Sequence, residues 1–461
     1  PGGPDATPVG SVWTFHLRTG ATFHDGRPVT AADFVRGWQR IVRAGPAGAA
    51  AAFYLLEPVK GFTQAQGGGD LVGVTAVDDR TLRVELTAPF ADFPAVVSHP
   101  ALGPVPAEAL DDPEGFGRQP IGNGPFRISE PWRSDESQGI RLEAWDSYWG
   151  EGAEIDHLVF RIYRGEAATA DGFADFVEGK LDLAPIPDGR VDEAMSAYGA
   201  SEDGYTGPGV LDGVELISAF YGFNTRRPPF DDPDVRRGLS LLIDRHAIVE
   251  EVLPAGRAVA RSLVPPGIAG YRPAACRFCD HDPGQAVQLL AGRGIGPERP
   301  VELVLHDGAD HGAVAERVRR DVDAALGAGT VQLQALPQSQ WLEAIRSGTA
   351  GFFLSGWLAE YPSPDAFLHR LFHPARIGSD NLTMYDNPEV AALLERARGE
   401  LDGDVRSDLY RQAESRVLDD VAVAPLFFYR HARVVAQRVR GFRLDPMGGV
   451  DMTEVRLTSV D

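Results

Sequence analysis

WTFHLRTGATFHDGRPVTAADF, residues Trp13 to Phe34, holds a strand, a tight turn and the start of a helix with little chain between them. Trp13, Phe15 and Leu17 alternate with polar neighbours at the period of a half-buried strand. His24-Asp25-Gly26 follows, and its glycine can take the positive φ that a tight turn demands. Thr30 stands three residues before Asp33. That spacing predicts a helix N-cap with an acid in the first turn, where the helix dipole favours negative charge. A strand-turn-helix by itself is silent on function.

Further along, Val74 to Leu86 reads as two short strands joined at Asp78-Asp79, because Leu82, Val84 and Leu86 alternate with polar residues. Ile121-Gly-Asn-Gly-Pro-Phe-Arg-Ile sets a turn before a new strand. Between Asp231 and Leu253, Val235, Leu239, Leu242, Ile243 and Ile248 recur at three- and four-residue intervals, predicting an amphipathic helix pair. Ala44 to Ala52 is rich in Ala and Gly but short, and Gln66 to Gly69 reads as a loop tip. Internal repeats and long low-complexity linkers are absent from the sequence.

The chain has 461 residues, 43% of them apolar, too many for one core and enough for two or three lobes. Its 44 Lys+Arg against 66 Asp+Glu leave a net charge of −22. Such a chain lacks the basic face that phosphate contacts need, so no nucleic-acid partner is expected, and solubility accounts for the acidity. Lys60 and Lys180 are the only lysines. With abundant Ala and Gly, this usage fits a GC-rich genome of the actinobacterial kind. The apolar run Val421 to Tyr429 is interrupted by Pro425 and falls short of the ~20 residues of a membrane helix. Catalytic signatures are missing too: there is no GxSxG elbow and no phosphate-binding P-loop, and Gly292-Arg-Gly-Ile-Gly lacks the third glycine of a dinucleotide fingerprint. The many carboxylates single out no acid–base pair.

Longer blocks carry a resemblance. YGFNTRRPPFDDP (Tyr221–Pro233) and the helix after it follow the pattern FNTxxPPFxDxxVRxAxxxAIDR, with Gly238 in place of the usual Ala. GWLAEYPSPDAFL (Gly356–Leu368) follows GWxADYPDPxxFL. Tyr385-Asp-Asn-Pro-Glu-Val and Pro425-Leu-Phe-Phe-Tyr complete the set. Together with Trp13–Phe34, they make the chain resemble the family 5 extracellular solute-binding proteins of ABC importers, typified by oligopeptide and dipeptide binders, from about Val12 to Phe442.

That resemblance implies an α/β chain with the two-lobed periplasmic-binding-protein fold, type II and cluster C-like. A third, small lobe is inserted, and a ligand cleft lies between the large lobes. The small lobe is expected at 1–125, the first large lobe at 126–218 with 432–461, and the second at 219–431. The implied function is capture of a short peptide by lobe closure and delivery to an ABC permease. The implied setting is extracytoplasmic, periplasmic or on the cell surface with a lipid anchor, as a monomer without cofactor. Relatives carry a further segment before the Trp13 strand, so Pro1-Gly-Gly-Pro is expected to be the start of a processed or trimmed chain. Fold likeness does not separate a peptide from an oligosaccharide, a nickel complex or haem, nor a receptor from a hydrolase or chaperone on the same scaffold.

By the same resemblance, Glu360 stands where the family has an Asp that meets the peptide ammonium. The charge is kept and the reach grows by one methylene. Trp357, Trp341, Tyr54, Phe220 and Tyr221 occupy places where relatives have cleft aromatics, flat walls that bury area while tolerating varied side chains. Each also fits an ordinary lobe core. Leu354 replaces an Arg that some oligopeptide binders use, so no clamp for a carboxyl terminus is expected there. Cys276 and Cys279 form a CxxC, for which a local disulfide is the simplest account in an exported protein. A metal half-site with His281, or free thiols, stays open. His369 and His373, at i and i+4, share a helical face but lack the intervening Glu of a zincin helix, and read as surface or half-buried histidines. His306 and His311 receive no role. Asn381-Leu-Thr is formally a glycosylation sequon.

Overall fold

The computed structural model describes residues 9–45, 52–133, 139–253 and 256–458. The Pro1 start and most of the Ala/Gly-rich run from 44 to 52 lie outside them.

A first unit holds β1 (Val12–His16), α1 (Ala31–Ala44), β2 (Val74–Asp78) and β3 (Thr81–Glu85), with the strands in the antiparallel order β1-β3-β2. The turn and cap read from Trp13–Phe34 are both present. Gly26 has φ +85°, and the Asp33 carboxylate accepts from the Thr30 backbone N–H and hydroxyl, each at 2.8 Å. Trp38 is buried, and its indole N–H donates to the Leu102 carbonyl at 2.8 Å, which pins α1 to the following segment.

β4 (Phe126–Ile128), β5 (Ile140–Ala144) and β6 (His157–Phe160) form a second antiparallel sheet. The largest sheet uses β7 (Leu183–Pro185), β8 (Gly209–Phe223), β9 (Arg257–Val259), β10 (Val301–His306), β11 (Val331–Leu336), β12 (Phe352–Leu358) and β13 (Val423–Val435). Its order is β11-β10-β12-β8-β13-β7, with β9 also paired to β13. The helices that matter below are α2 (Pro233–Leu242), α3 (Ala309–Leu326), α4 (Gln338–Arg346), α5 (Asp365–Phe372), α6 (Pro388–Gly399) and α7 (Gly403–Asp419). The helix pair read from Asp231 to Leu253 is interrupted. After α2, the Asp244 side chain caps a short turn by accepting from Ala247 N–H at 3.0 Å, and the chain continues as one wider turn over Ile248–Val252.

β8 and β13 run antiparallel from Gly209↔Val435 to Gly222↔Val423, with irregular register at Pro425/Phe427 and Phe428/Arg430. One end enters a core built from Phe173, Ala184, Val210 and Val434; the other enters a core of Val235, Leu303, Val318, Phe352 and Leu426. The result is a two-lobed α/β molecule joined by its longest strand pair. A further cluster unites Trp38, Leu56 and Phe93 of the first unit with Phe367, Leu394 and Val417 of α5, α6 and α7. Among the described residues no helix is long and apolar enough to cross a membrane.

Candidate ligand-binding site

β10 runs parallel to both β11 and β12, so the carboxyl ends of all three, His306, Leu336 and Leu358, reach one edge of the sheet. In open α/β sheets the crevice outside such an edge is where ligands gather. Glu360 lies two residues past β12 and is half-buried. Its Oε1 accepts from the Tyr54 hydroxyl at 2.6 Å, and its Oε2 is buried without a partner among the described residues. Burial raises the Glu360 pKa, while the Tyr54 hydroxyl and the Arg370 charge pull it back. Burial and the Glu360 charge push the Tyr54 phenol well up, so it remains a donor.

Behind this pair, the Arg370 guanidinium lies over the Tyr54 ring at 4.2 Å and meets Glu57 at 3.3 Å and Asp380 at 3.2 Å. Arg376 also holds Glu57, at 2.5 Å. Trp357 is half-buried against the large core, and its indole N–H donates to the Ala366 carbonyl at 2.7 Å, fixing the Glu360 segment onto α5.

Trp341, on α4, packs with Val304, Ile345 and Phe353, and its buried indole nitrogen lacks a partner among the described residues. His306 approaches it edge-on at 5.3 Å and meets His311 at 3.9 Å. His311 Nδ1 and the nearby Arg257 Nε are likewise buried and unpartnered, while Arg257 stacks on Tyr429 at 4.3 Å. Burial and the neighbouring His306 lower the His311 pKa, so its imidazole is neutral at neutral pH. The sequence reading left this histidine pair without a role. Its signal was the position of His306 as the last residue of a strand and His311 in the first turn of the next helix.

Phe220 and Tyr221 are corrected to core residues. They are 2% and 0% exposed, because β8 is central in its sheet and covered on both faces. Successive side chains point to opposite faces. Phe220 therefore joins the cluster of Leu263 and Leu368, whereas Tyr221 packs on Phe352 in the other lobe core. Leu354 is interior as well, at 5% exposed.

Cys276 and Cys279 are joined as a disulfide. Oxidised sulfurs are not metal-binding thiolates, and His281 Nδ1 lies 3.6 Å from Asp244 instead. Asn381 is fully buried: its amide donates to Tyr385 O at 2.8 Å and accepts from Tyr385 N–H at 3.2 Å, which makes the formal sequon a loop staple.

His369 and His373 stack at 4.6 Å and, with Glu395 on α6, form a group of metal-ligating types within mutual reach. Hydrogen bonds already occupy it. Arg398 donates to His369 Nε2 at 3.3 Å, Ala375 N–H donates to His373 Nδ1 at 3.2 Å, and His373 Nε2 is left to donate to Glu395 at 3.0 Å. His369 is interior rather than superficial, and burial together with Arg398 pushes its pKa down to about 4. The unfolded chain takes up this proton first, near pH 6.5. Stability is thus full above that pH and falls as the pH drops toward 4, by about 3 kcal/mol in all. Urea midpoints at pH 7 and 4.5 should show this loss, and His369→Asn should flatten it.

Residues 4–379 match the bacterial extracellular solute-binding proteins, family 5 Middle. The chain belongs to that family. It is 29% identical over 459 residues to the dipeptide-binding protein DppE of Bacillus subtilis, spanning 95% of this chain and 80% of that one. The periplasmic oligopeptide-binding protein OppA of Salmonella typhimurium is 28% identical over 456 residues, with coverage of 95% and 80%. Among solved structures, the periplasmic murein tripeptide-binding protein MppA in its unliganded open form superposes with a TM-score of 0.80 at 24% identity, covering 98% of this chain and 87% of its own.

Proposed function

We propose that this protein captures short peptides by their positively charged end and presents them to an ABC permease. The observation that carries the reading is Glu360 Oε2, a buried carboxylate oxygen without a partner at the ligand-gathering edge of the sheet. A buried charge is costly until it is paired and hydrogen-bonded, and an ammonium supplies both. The unpartnered nitrogens of His311, Trp341 and Arg257 mark a second polar region on the same edge, where peptide carbonyls or a carboxylate can be met. A peptide main chain can add itself as a strand between these points. The relatives named for dipeptides and oligopeptides support this ligand class.

Segments 1–125, 126–218 with 432–461, and 219–431 act as the lobes of this receptor, and closure over the ligand bends the β8–β13 pair. It works as an extracytoplasmic monomer, lipid-anchored or periplasmic, and releases its ligand unchanged. Native mass spectrometry of protein purified from its own host should find retained peptides. Thermal unfolding extends the test: a free-amine peptide at a hundred times its Kd stabilises by about 2.7 kcal/mol, and its N-acetylated form should give little. Equal shifts from both forms would contradict an amine anchor, and a response to oligosaccharides alone would replace the peptide reading.

A further inference from the structure

We propose that Arg370 is the positioning residue of this site: stacked on Tyr54 and paired with Glu57 and Asp380, it holds the Glu360 carboxylate anionic and aimed for a cationic ligand end. The inference rests on the peptide reading for its ligand, but not for its geometry.

The charges around Glu360 do not balance. Glu57, Asp380 and Glu360 bring three negative charges, and Arg370 and Arg376 bring two positive ones. Arg376 is committed to Glu57 at 2.5 Å. Arg370, with only 8% of its side chain exposed, is the cation whose charge acts on Glu360 from α5. The groups that bear on the Glu360 carboxyl are the Tyr54 hydroxyl, the Arg370 charge, the backbone N–H of Glu360 itself and the opposing Asp380 charge. An opposite charge favours an ionised carboxyl and burial opposes it. Without Arg370, desolvation and Asp380 are opposed only by hydrogen bonds, from the Tyr54 hydroxyl and the Glu360 backbone N–H, with no positive charge among these groups.

Arg370 also acts through shape. Its planar guanidinium lies on the face of the Tyr54 ring whose hydroxyl donates to Glu360. A stacked cation restrains a ring that is otherwise only half-buried. The remaining negative charge of the group is the one a ligand must neutralise. The site therefore selects ligands that bring a single positive charge to this end.

The test follows the Glu360 carboxyl by carbon-13 NMR of glutamate-labelled full chain without ligand, its signal assigned by its absence in Glu360→Gln. In Arg370→Met the titration midpoint should rise by about one pH unit or more, and Arg370→Lys, which keeps the charge, should restore most of it. An unchanged midpoint in a folded Arg370→Met protein would overturn the proposal. The second arm measures affinity for a free-amine tripeptide at pH 8 and pH 5.5. Arg370→Met should lose several-fold more affinity than wild type on going to the lower pH, approaching tenfold per unit of midpoint shift where the pH lies below both midpoints. A uniform loss at both pH values would mark Arg370 as merely structural. If wild type ignores peptides altogether, the peptide reading fails, and the ligand-free titration still decides the role of Arg370. Should Arg370→Met not fold, Arg370→Gln, which drops the charge but keeps an amide that can donate to Glu57 or Asp380, gives the same two readouts.

Discussion

Glu360→Gln should weaken binding of a free-amine peptide by about a hundredfold or more, since breaking a buried ion pair costs roughly 3–5 kcal/mol. Gln is nearly isosteric, and its amide oxygen can still accept from Tyr54, so the loss reports charge rather than shape. The ligand-free protein should respond the other way. The raised pKa means that the folded state holds the Glu360 proton more tightly than the unfolded chain does. Its contribution is favourable at low pH and is lost as pH rises through the folded pKa. At pH 7–8 the neutral amide removes that cost, and ligand-free Glu360→Gln should melt at or above the wild-type temperature. At pH 4 the difference should vanish. Calorimetric titration with free and N-acetylated peptides, combined with melting curves at both pH values, checks the pair of effects. Wild-type affinity in the variant would remove Glu360 from the site.

Arg245→Met should destabilise the fold by about 4 kcal/mol, because several buried acceptors lose their donor at about 1–3 kcal/mol each. Arg245 is 2% exposed, and among the described residues no carboxylate hydrogen-bonds its guanidinium. Instead it donates to the carbonyls of Pro425 at 2.5 Å, Ser240 at 3.0 Å, Ile243 at 3.2 Å and Cys279 at 2.9 Å, and to the Ser240 hydroxyl at 2.9 Å. Burial pushes its pKa down to about 9. One side chain thus ties together the end of α2, the disulfide loop and β13. Lysine has fewer donors and no planar fork, so Arg245→Lys should recover only part of the loss. Urea unfolding at pH 7 measures both. A loss below about 1 kcal/mol for the Met variant would show that the loop rearranges or that water replaces the guanidinium.

What the sequence made legible is local. The Gly26 turn, the Thr30–Asp33 cap and the β2–β3 hairpin each depend on residues a few positions apart, and all are present. The site was legible only in its parts. Glu360 and Tyr54 were named through family likeness, but the bond between them joins residues 306 positions apart, and no local pattern encodes it. Phe220 and Tyr221 misled because a strand covered on both faces looks the same in sequence as one that lines a cleft. The His306–His311 pair escaped because strand end and helix start are adjacent only once the chain has turned over the sheet edge. Arg370 lay in a segment already read for its histidines, and its partners Glu57 and Asp380 come from opposite sides of it in the chain.

The core shared between the first unit and α5, α6 and α7 has a consequence for the order of folding. Trp38, Leu56 and Phe93 are buried partly by Phe367, Leu394 and Val417, residues that leave the ribosome some 300 positions later. A nascent chain of a hundred residues can pair β1 with β3 and lay α1 on them, but the apolar side of this unit that meets α5, α6 and α7 stays uncovered. Contacts of such long sequence separation form slowly. The amino-terminal quarter should therefore stay open to proteases until most of the chain has been made, and the Tyr54–Glu360 bond is completed among the last events rather than the first.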